Sequence, residues 1–265
     1  MARFLSLNVN GIHDVNKRLS LLQWLSHLNL DFVCLQETHV VSHSECLSWF
    51  SSYGFLTVAS PGSSHSCGSV ILYRSKYHLV KTWSDSNGRF VMAEFQHHDV
   101  SFRLACIYAP NRNPERNDFF AYCESIVDPS VPTLLCGDFN AVFDRTLDRR
   151  DSNVSDLSRE SCQTLRSLFE NCCVADVWRL RHPCDRGFSW CKSDGSLASR
   201  IDLIGCPFPW LHHVVSCEMV FCPYSDHSAV LLDCPIPSPL PRGPGRWKLN
   251  VSILSNTEFV ALASL

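Results

Sequence analysis

The stretch Thr133-Leu134-Leu135-Cys136-Gly137-Asp138-Phe139-Asn140 decides how the chain is read. Its first four residues are a short apolar run of the kind that forms a buried strand. A glycine, a carboxylate, an aromatic ring and a carboxamide follow without a break. Asp and Asn favour turns, so the tip alone could be an ordinary strand end. The same design recurs elsewhere. Asn8 follows Leu5-Ser6-Leu7, Gln36-Glu37 follows Phe32-Val33-Cys34-Leu35, and Tyr108 follows Ala105-Cys106-Ile107. Asp202 lies inside the apolar run Arg200–Ile204, and Asp226-His227 precede Ala229-Val230-Leu231-Leu232. Each residue taken singly has a plain reading: a solvated acid, a turn residue, a satisfied core histidine. Asp202 is the strongest of them, because a buried acid inside an apolar strand needs a partner. Together they place acids, amides and an imidazole where strand ends can converge on one sheet rim.

Working outward, short β-rich runs alternate with helical patterns. Strands are predicted at Phe4–Val9, Phe32–Leu35, Ser69–Tyr73, Phe90–Phe95, Phe102–Tyr108, Thr133–Cys136, Arg200–Ile204, Val214–Val220 and Ser228–Leu232. Helices are predicted at Lys17–Leu28, capped by Asn16 with Leu19, Leu22, Leu25 and Leu28 on one face, at Asn117–Val127, and at Ser158–Cys172. So many strands with few helices exclude a simple parallel sheet. They predict an α/β fold of four layers, a sandwich of two packed mixed β-sheets flanked by helices. After Cys234 come Pro235, Pro237, Pro239, Pro241 and Pro244 with Gly243 and Gly245. The domain is therefore expected over 1–234. Residues 235–265 read as a Pro/Gly-rich linker and the truncated start of a downstream region.

The bulk numbers exclude more than they assert. The 265 residues carry a formal charge of −3, so no general pull toward nucleic acid exists and any DNA contact needs a local basic face. Arg145, Arg149 and Arg150 form one such group, and Arg179, Arg181 and Arg186 another. Fifteen cysteines are an odd number, no signal peptide opens the chain, and no Cys-x-x-Cys pair occurs. Core thiols in an intracellular compartment are expected, not disulfides or zinc. No apolar run is long enough for a membrane span.

Six blocks stand in order along the chain: Ser6-Leu7-Asn8-Val9-Asn10-Gly11, Leu35-Gln36-Glu37-Thr38, Ile107-Tyr108-Ala109-Pro110-Asn111, Cys136-Gly137-Asp138-Phe139-Asn140, Ser199-Arg200-Ile201-Asp202 and Ser225-Asp226-His227. They resemble the exonuclease–endonuclease–phosphatase superfamily. Thr146-Leu147-Asp148-Arg149 and the segment Gly243–Asn250, with Trp247, resemble in particular the endonuclease domain of LINE-type (non-LTR) retrotransposons. Asn10 and Ser199 depart from the repair branch, which has Asp and Trp there. The resemblance implies a Mg²⁺-dependent nickase of DNA, with Mn²⁺ as a substitute metal, acting in the nucleus as a monomer beside a reverse transcriptase region in cis. It implies that Glu37, helped by Asp226, holds the metal. Asp138 activates water and Asn140 fixes its carboxylate. His227, paired with Asp202, contacts a phosphate oxygen, and Asn8 and Tyr108 donate hydrogen bonds to the phosphate. Asn111, Arg149 and Ser189 lie where the family contacts DNA. With Asn10 in place of a carboxylate, a single tight metal is expected. A phosphatase of the same superfamily, an inactive transposon-derived remnant and a plain DNA-binding module are the competing readings.

Overall fold

The computed structural model describes residues 1–150 and 157–237. The strands in chain order begin with β1 (Ala2–Asn8), β2 (Phe32–Gln36), β3 (Leu56–Ser60), β4 (Ser69–Tyr73) and β5 (His78–Ser84). They continue with β6 (Phe90–His97), β7 (Val100–Tyr108), β8 (Thr133–Asp138), β9 (Arg149–Arg150) and β10 (Val174–Asp176). The last are β11 (Trp190–Cys191), β12 (Ala198–Ser199), β13 (Asp202–Pro207), β14 (Ser216–Val220) and β15 (Ala229–Cys234). The α-helices are α1 (Val15–Ser26), α2 (His43–Phe50), α3 (Asn113–Ile126), α4 (Leu157–Asn171) and α5 (Val177–Arg181).

Two mixed six-stranded sheets form the body, in the orders β14-β15-β1-β2-β4-β3 and β10-β13-β8-β7-β6-β5. Side chains alternate faces along a strand, and the central strands of both sheets are buried on both sides. Phe4, Phe32 and Cys34 of the first sheet meet Phe102, Leu104, Cys106, Leu134, Cys136 and Ile204 of the second in one central core. The intervening residues pack outward. Leu5, Leu7, Val33 and Leu35 join Leu21, Leu22 and Leu25 of α1 and Phe50 of α2. Ala105, Ile107, Leu135 and Leu203 join Phe120 of α3 and Leu165, Leu168 and Phe169 of α4. The expected four-layer α/β sandwich is what the chain forms.

Several local expectations need correction. The cap of α1 is Asp14, whose Oδ1 accepts from Lys17 N at 2.7 Å, so Asn16 lies inside the helix. A cap two residues earlier starts the helix earlier. The buried stripe is then Leu21, Leu22 and Leu25, with Leu19 half exposed. Helix α3 starts at Asn113, not Asn117, with Pro114 in its first turn, where a missing N–H costs nothing. Strand β13 starts at Asp202, so Arg200 and Ile201 form its entry. Helix α2 and strands β3 and β5 were not anticipated. Strand β5 is mostly exposed and shows little apolar pattern. The Pro/Gly-rich segment from 238 on, with the Trp247 block, lies outside the described residues.

The inward-facing alternation is what carries the site. Phe4 and Ser6 lead to Asn8, Leu104 and Cys106 to Tyr108, and Leu134 and Cys136 to Asp138. The Gln36 amide reaches across the sheets to Cys106 Sγ at 3.2 Å and along its own sheet to Ser6 Oγ at 3.2 Å. The registers Asn8↔Gln36, Tyr108↔Asp138 and Asp138↔Asp202 set these polar ends level. Gly137 makes the last step possible. A Cβ there would lie 1.9 Å from Ile107 O, so β8 can approach β7 this closely only without a side chain. Gly137→Ala is therefore expected to destabilise the domain by about 1–3 kcal/mol, as overpacking does. A fall in the denaturant midpoint checks this, and an unchanged midpoint would contradict it.

Candidate active site

The polar strand ends open into one cleft of about 420 Å³ between the sheets' rims. Glu37, Asn111, Asp138, Asn140, Arg149, Asp226 and His227 all line it, as do Asn10, Trp190, Leu197, Ser199 and Ile201. Asn8, Tyr108 and Asp202 stand directly behind these residues, almost fully buried.

Asp138 and Asp202 are register partners on adjacent antiparallel strands, each at most 2% exposed. Two carboxylates side by side in a dry interior repel, and each also loses hydration. Burial, then Asp202, pushes the Asp138 carboxyl up to about 7, against the opposing pull of His227 and Asn8. His227 resolves the conflict. Its Nδ1 lies 2.8 Å from Asp202 Oδ2. Burial alone would lower the imidazole's pKa, but Asp202, Asp138 and Asp226 outweigh it and raise it to about 10. The ring is thus a held imidazolium at neutral pH. Single ligand atoms of Asp138, Asp202 and His227 lie within 4.8 Å of one another. Because the imidazole is already bound to Asp202, this trio reads as an acid–base network, not as a metal site.

Neighbouring groups orient each carboxylate. Asn140 N donates to Asp138 Oδ1 at 2.9 Å, and Asn140 Nδ2 donates to Ala109 O at 2.9 Å. Asn140 therefore fixes the carboxylate through its backbone. Its φ of 48°, a left-handed value that Asn tolerates, turns the chain back on itself. Asn8 Nδ2 donates to both Glu37 Oε1 at 2.8 Å and Asp138 Oδ2 at 3.0 Å, while its Oδ1 accepts from Asn10 N. Asn8 was expected to donate to phosphate, but here both amide hydrogens are engaged and it ties the two carboxylates together. Tyr108 faces Glu37 as well, and burial, then the Glu37 charge, raises its pKa so that it stays neutral. Glu37 itself sits at φ 53°, an uncommon value for a long side chain and the kind of strain found at functional positions.

On the opposite wall, Asp226 accepts from Asn10 Nδ2 and from Trp190 Nε1, both at 3.1 Å. Ser225 Oγ donates to Asn8 O at 2.6 Å and accepts from His227 N, anchoring the turn that carries Asp226 and His227. Ser189 is not on the cleft wall. It is 2% exposed, and its Oγ accepts from the N–H groups of Ile201 and Asp202 at 3.0 Å. A serine spaced 13 residues from an acid carries no signal that it will hold that acid's backbone. Trp190 was likewise missed, since nothing local marks its indole as the partner of Asp226. As metal donors, Glu37 and Asp226 present carboxylate oxygens to the cleft amid carboxamides, with no thiol among the described lining residues. That set fits a hard divalent cation that keeps several of its waters.

The chain belongs to the Endonuclease/Exonuclease/phosphatase family, which it matches over residues 5–260. It is 30% identical over 262 residues to the Transposon TX1 uncharacterized 149 kDa protein of Xenopus laevis, covering 96% of this chain. The chain spans only 20% of that protein's length. It is also 26% identical over 210 residues to an exodeoxyribonuclease of Bacillus subtilis, covering 71% of this chain and 79% of that one. The fold is shared with an AP endonuclease from Leishmania major, at TM-score 0.74, 16% identity and coverage of 89% and 88% of the two chains. An AP endonuclease from Archaeoglobus fulgidus matches at TM-score 0.70, 19% identity and coverage of 89% and 100%. The superfamily resemblance drawn from the six sequence blocks is borne out.

The His227–Asp202 pair has a measurable sign. Its folded pKa lies above the ordinary 6.5, so its stabilisation is fully present below about 6.5 and is lost as pH rises through about 10. In metal-free protein, the stability gap between wild type and Asp202→Asn is expected to be large at pH 6 and to shrink toward pH 10. A gap constant across that range would show that the imidazolium is not held by Asp202.

Proposed function

We propose that the chain is a Mg²⁺-dependent endonuclease that nicks one strand of DNA by phosphodiester hydrolysis, as in target-primed reverse transcription by a retrotransposon. The observation that carries the chemistry is the Asp138–Asp202–His227 network at the base of a cleft whose walls bear Glu37 and Asp226. Two likenesses support DNA as the substrate: to the exodeoxyribonuclease, and to a transposon protein far longer than this chain.

In this reading Asp138, held by Asn140 N–H and Asn8, takes the proton from a water as its oxygen attacks phosphorus. The bond from phosphorus to the bridging oxygen breaks, and that oxygen leaves as an alkoxide, which takes its proton from solvent water. His227 donates to a non-bridging oxygen, and Asp202 keeps the imidazolium charged as negative charge develops there. Glu37 and Asp226 would hold the cation, which neutralises charge on the phosphate when bound. Asn8 and Tyr108 aim Glu37 and Asp138. Asn111 and Arg149 face the DNA backbone, and Ser189 acts one layer back by fixing Asp202. The product fits a nuclear setting and a reverse transcriptase region in cis; among the described residues no helix is long and apolar enough to cross a membrane.

Supercoiled plasmid should be converted to the open-circular form with Mg²⁺ and stay intact in EDTA. Asp138→Ala and His227→Ala should each lower the nicking rate by about 10²–10⁴-fold, the usual size of a general acid–base contribution. Release of inorganic phosphate from small monoesters without nicking would instead identify a phosphatase, and no hydrolysis of either substrate an inactive remnant. With Asn10 hydrogen-bonded to Asp226 where a carboxylate would repel it, calorimetric titration should find one tight Mg²⁺ site. Two tight sites would rule out the single-metal mechanism.

A further inference from the structure

One buried ion cluster takes no part in the chemistry above. Asp148, Asp176, Arg179 and Arg200 meet behind the cleft wall. Asp148 is wholly buried and Arg200 is 1% exposed. Arg200 grips Asp148 with two hydrogen bonds, Nε to Oδ1 at 2.7 Å and Nη2 to Oδ2 at 3.0 Å. The same Nη2 reaches Asp176 Oδ2 at 2.6 Å, and Arg179 adds a second guanidinium to Asp148 Oδ1. The Trp178 ring packs against both cations, with centroid distances of 5.0 Å to Arg200 and 5.1 Å to Arg179.

Stability alone is a poor reason for four charges in one interior. Buried ion networks are often no more stable than apolar residues of the same volume. Their particular property is geometric: a bidentate guanidinium–carboxylate pair fixes orientation as well as distance. The places these residues occupy give that property a use. Asp148 immediately precedes Arg149, a guanidinium of the cleft wall. Arg200 sits between Ser199 and Ile201 on that wall, two residues before Asp202. Ser199 and Arg149 are register partners in the small β9–β12 ladder, and Arg200 N donates to Asp148 O at 2.8 Å at its end. Two sequence blocks with no local connection, Leu147-Asp148-Arg149 and Ser199-Arg200-Ile201-Asp202, are thus two halves of one clamp.

We propose that Arg200 is a positioning residue: through Asp148 and Asp176 it locks the β9–β12 ladder to the entry of β13, so that Arg149 meets a DNA phosphate at a set distance from the Asp202–His227 pair. This rests on the proposed reading that Arg149 faces DNA. Lysine, a single point charge, cannot make the forked contact and bridge two carboxylates at once.

The test is a double-mutant cycle on Arg149 and Arg200. The dissociation constant of a short duplex is read by fluorescence anisotropy in EDTA, and kcat by plasmid nicking with Mg²⁺, both well below each variant's Tm. Arg149→Ala in the wild-type background is expected to weaken DNA binding about tenfold, the size of one charge-assisted contact. Arg200→Lys should weaken binding by a similar factor, and adding Arg149→Ala to it should cost less than about twofold more, because contacts in one network are not additive. Should Arg200→Lys fail to fold, Asp148→Asn, which keeps the volume, completes the same cycle. If Arg200→Lys lowers only the Tm, or if Arg149→Ala weakens binding equally in both backgrounds, Arg200 is structural and the proposal falls alone. If Arg149→Ala leaves binding unchanged in the wild-type background, the placement of DNA on that wall falls with it.

Discussion

The pair that the rest of the site depends on is Asp202 Oδ2 and His227 Nδ1, 2.8 Å apart at the buried base of the cleft. Burial and the neighbouring Asp202 push the Asp138 carboxyl toward its neutral form. The imidazolium opposes that push. In turn the two acids hold the ring charged far above its ordinary range. A carboxyl poised at about 7 beside an imidazole raised to about 10 is a base and an acid made by one electrostatic compromise.

The sandwich supplies the setting. The inner faces of both sheets are apolar for most of their length and turn polar only at one end, at Asn8, Gln36, Tyr108, Asp138 and Asp202. Every one of these groups is buried, so most of its partners come from the protein. Asn8 shows the consequence: its amide lies between Glu37 and Asp138 and makes the proposed metal-binding and proton-transfer sides one unit. The smaller β11–β12–β9 sheet walls the cleft, and the Arg200 clamp joins it to the second large sheet.

Much of this was legible in the chain. Alternation at Phe4–Asn8 and Phe102–Tyr108, and the apolar run before Gly137, marked strands and the polar ends they deliver. Buried positions with period 2 leave a strong imprint because a one-residue slip would expose the core. The elements that went unseen leave a weak one. Strand β5 is a mostly exposed edge, and helix α2 is only eight residues long. The start of α1 was misplaced because Asp14 and Asn16 are both competent caps, and only the chain's path out of β1 selects between them.

By itself, the sequence determined the layered α/β class, the family and the set of acids, amides and imidazole that end at one rim, because side-chain period and residue chemistry are local properties. Which of those groups touch one another was decided only by the tertiary structure. Strand register brings Asp138 level with Asp202. The turn at Ser225 brings His227 onto Asp202, and the fold of β9 onto β12 closes Arg200 on Asp148. The last two are contacts across 25 and 52 residues of chain, and no local pattern encodes a distance set by how two sheets pack.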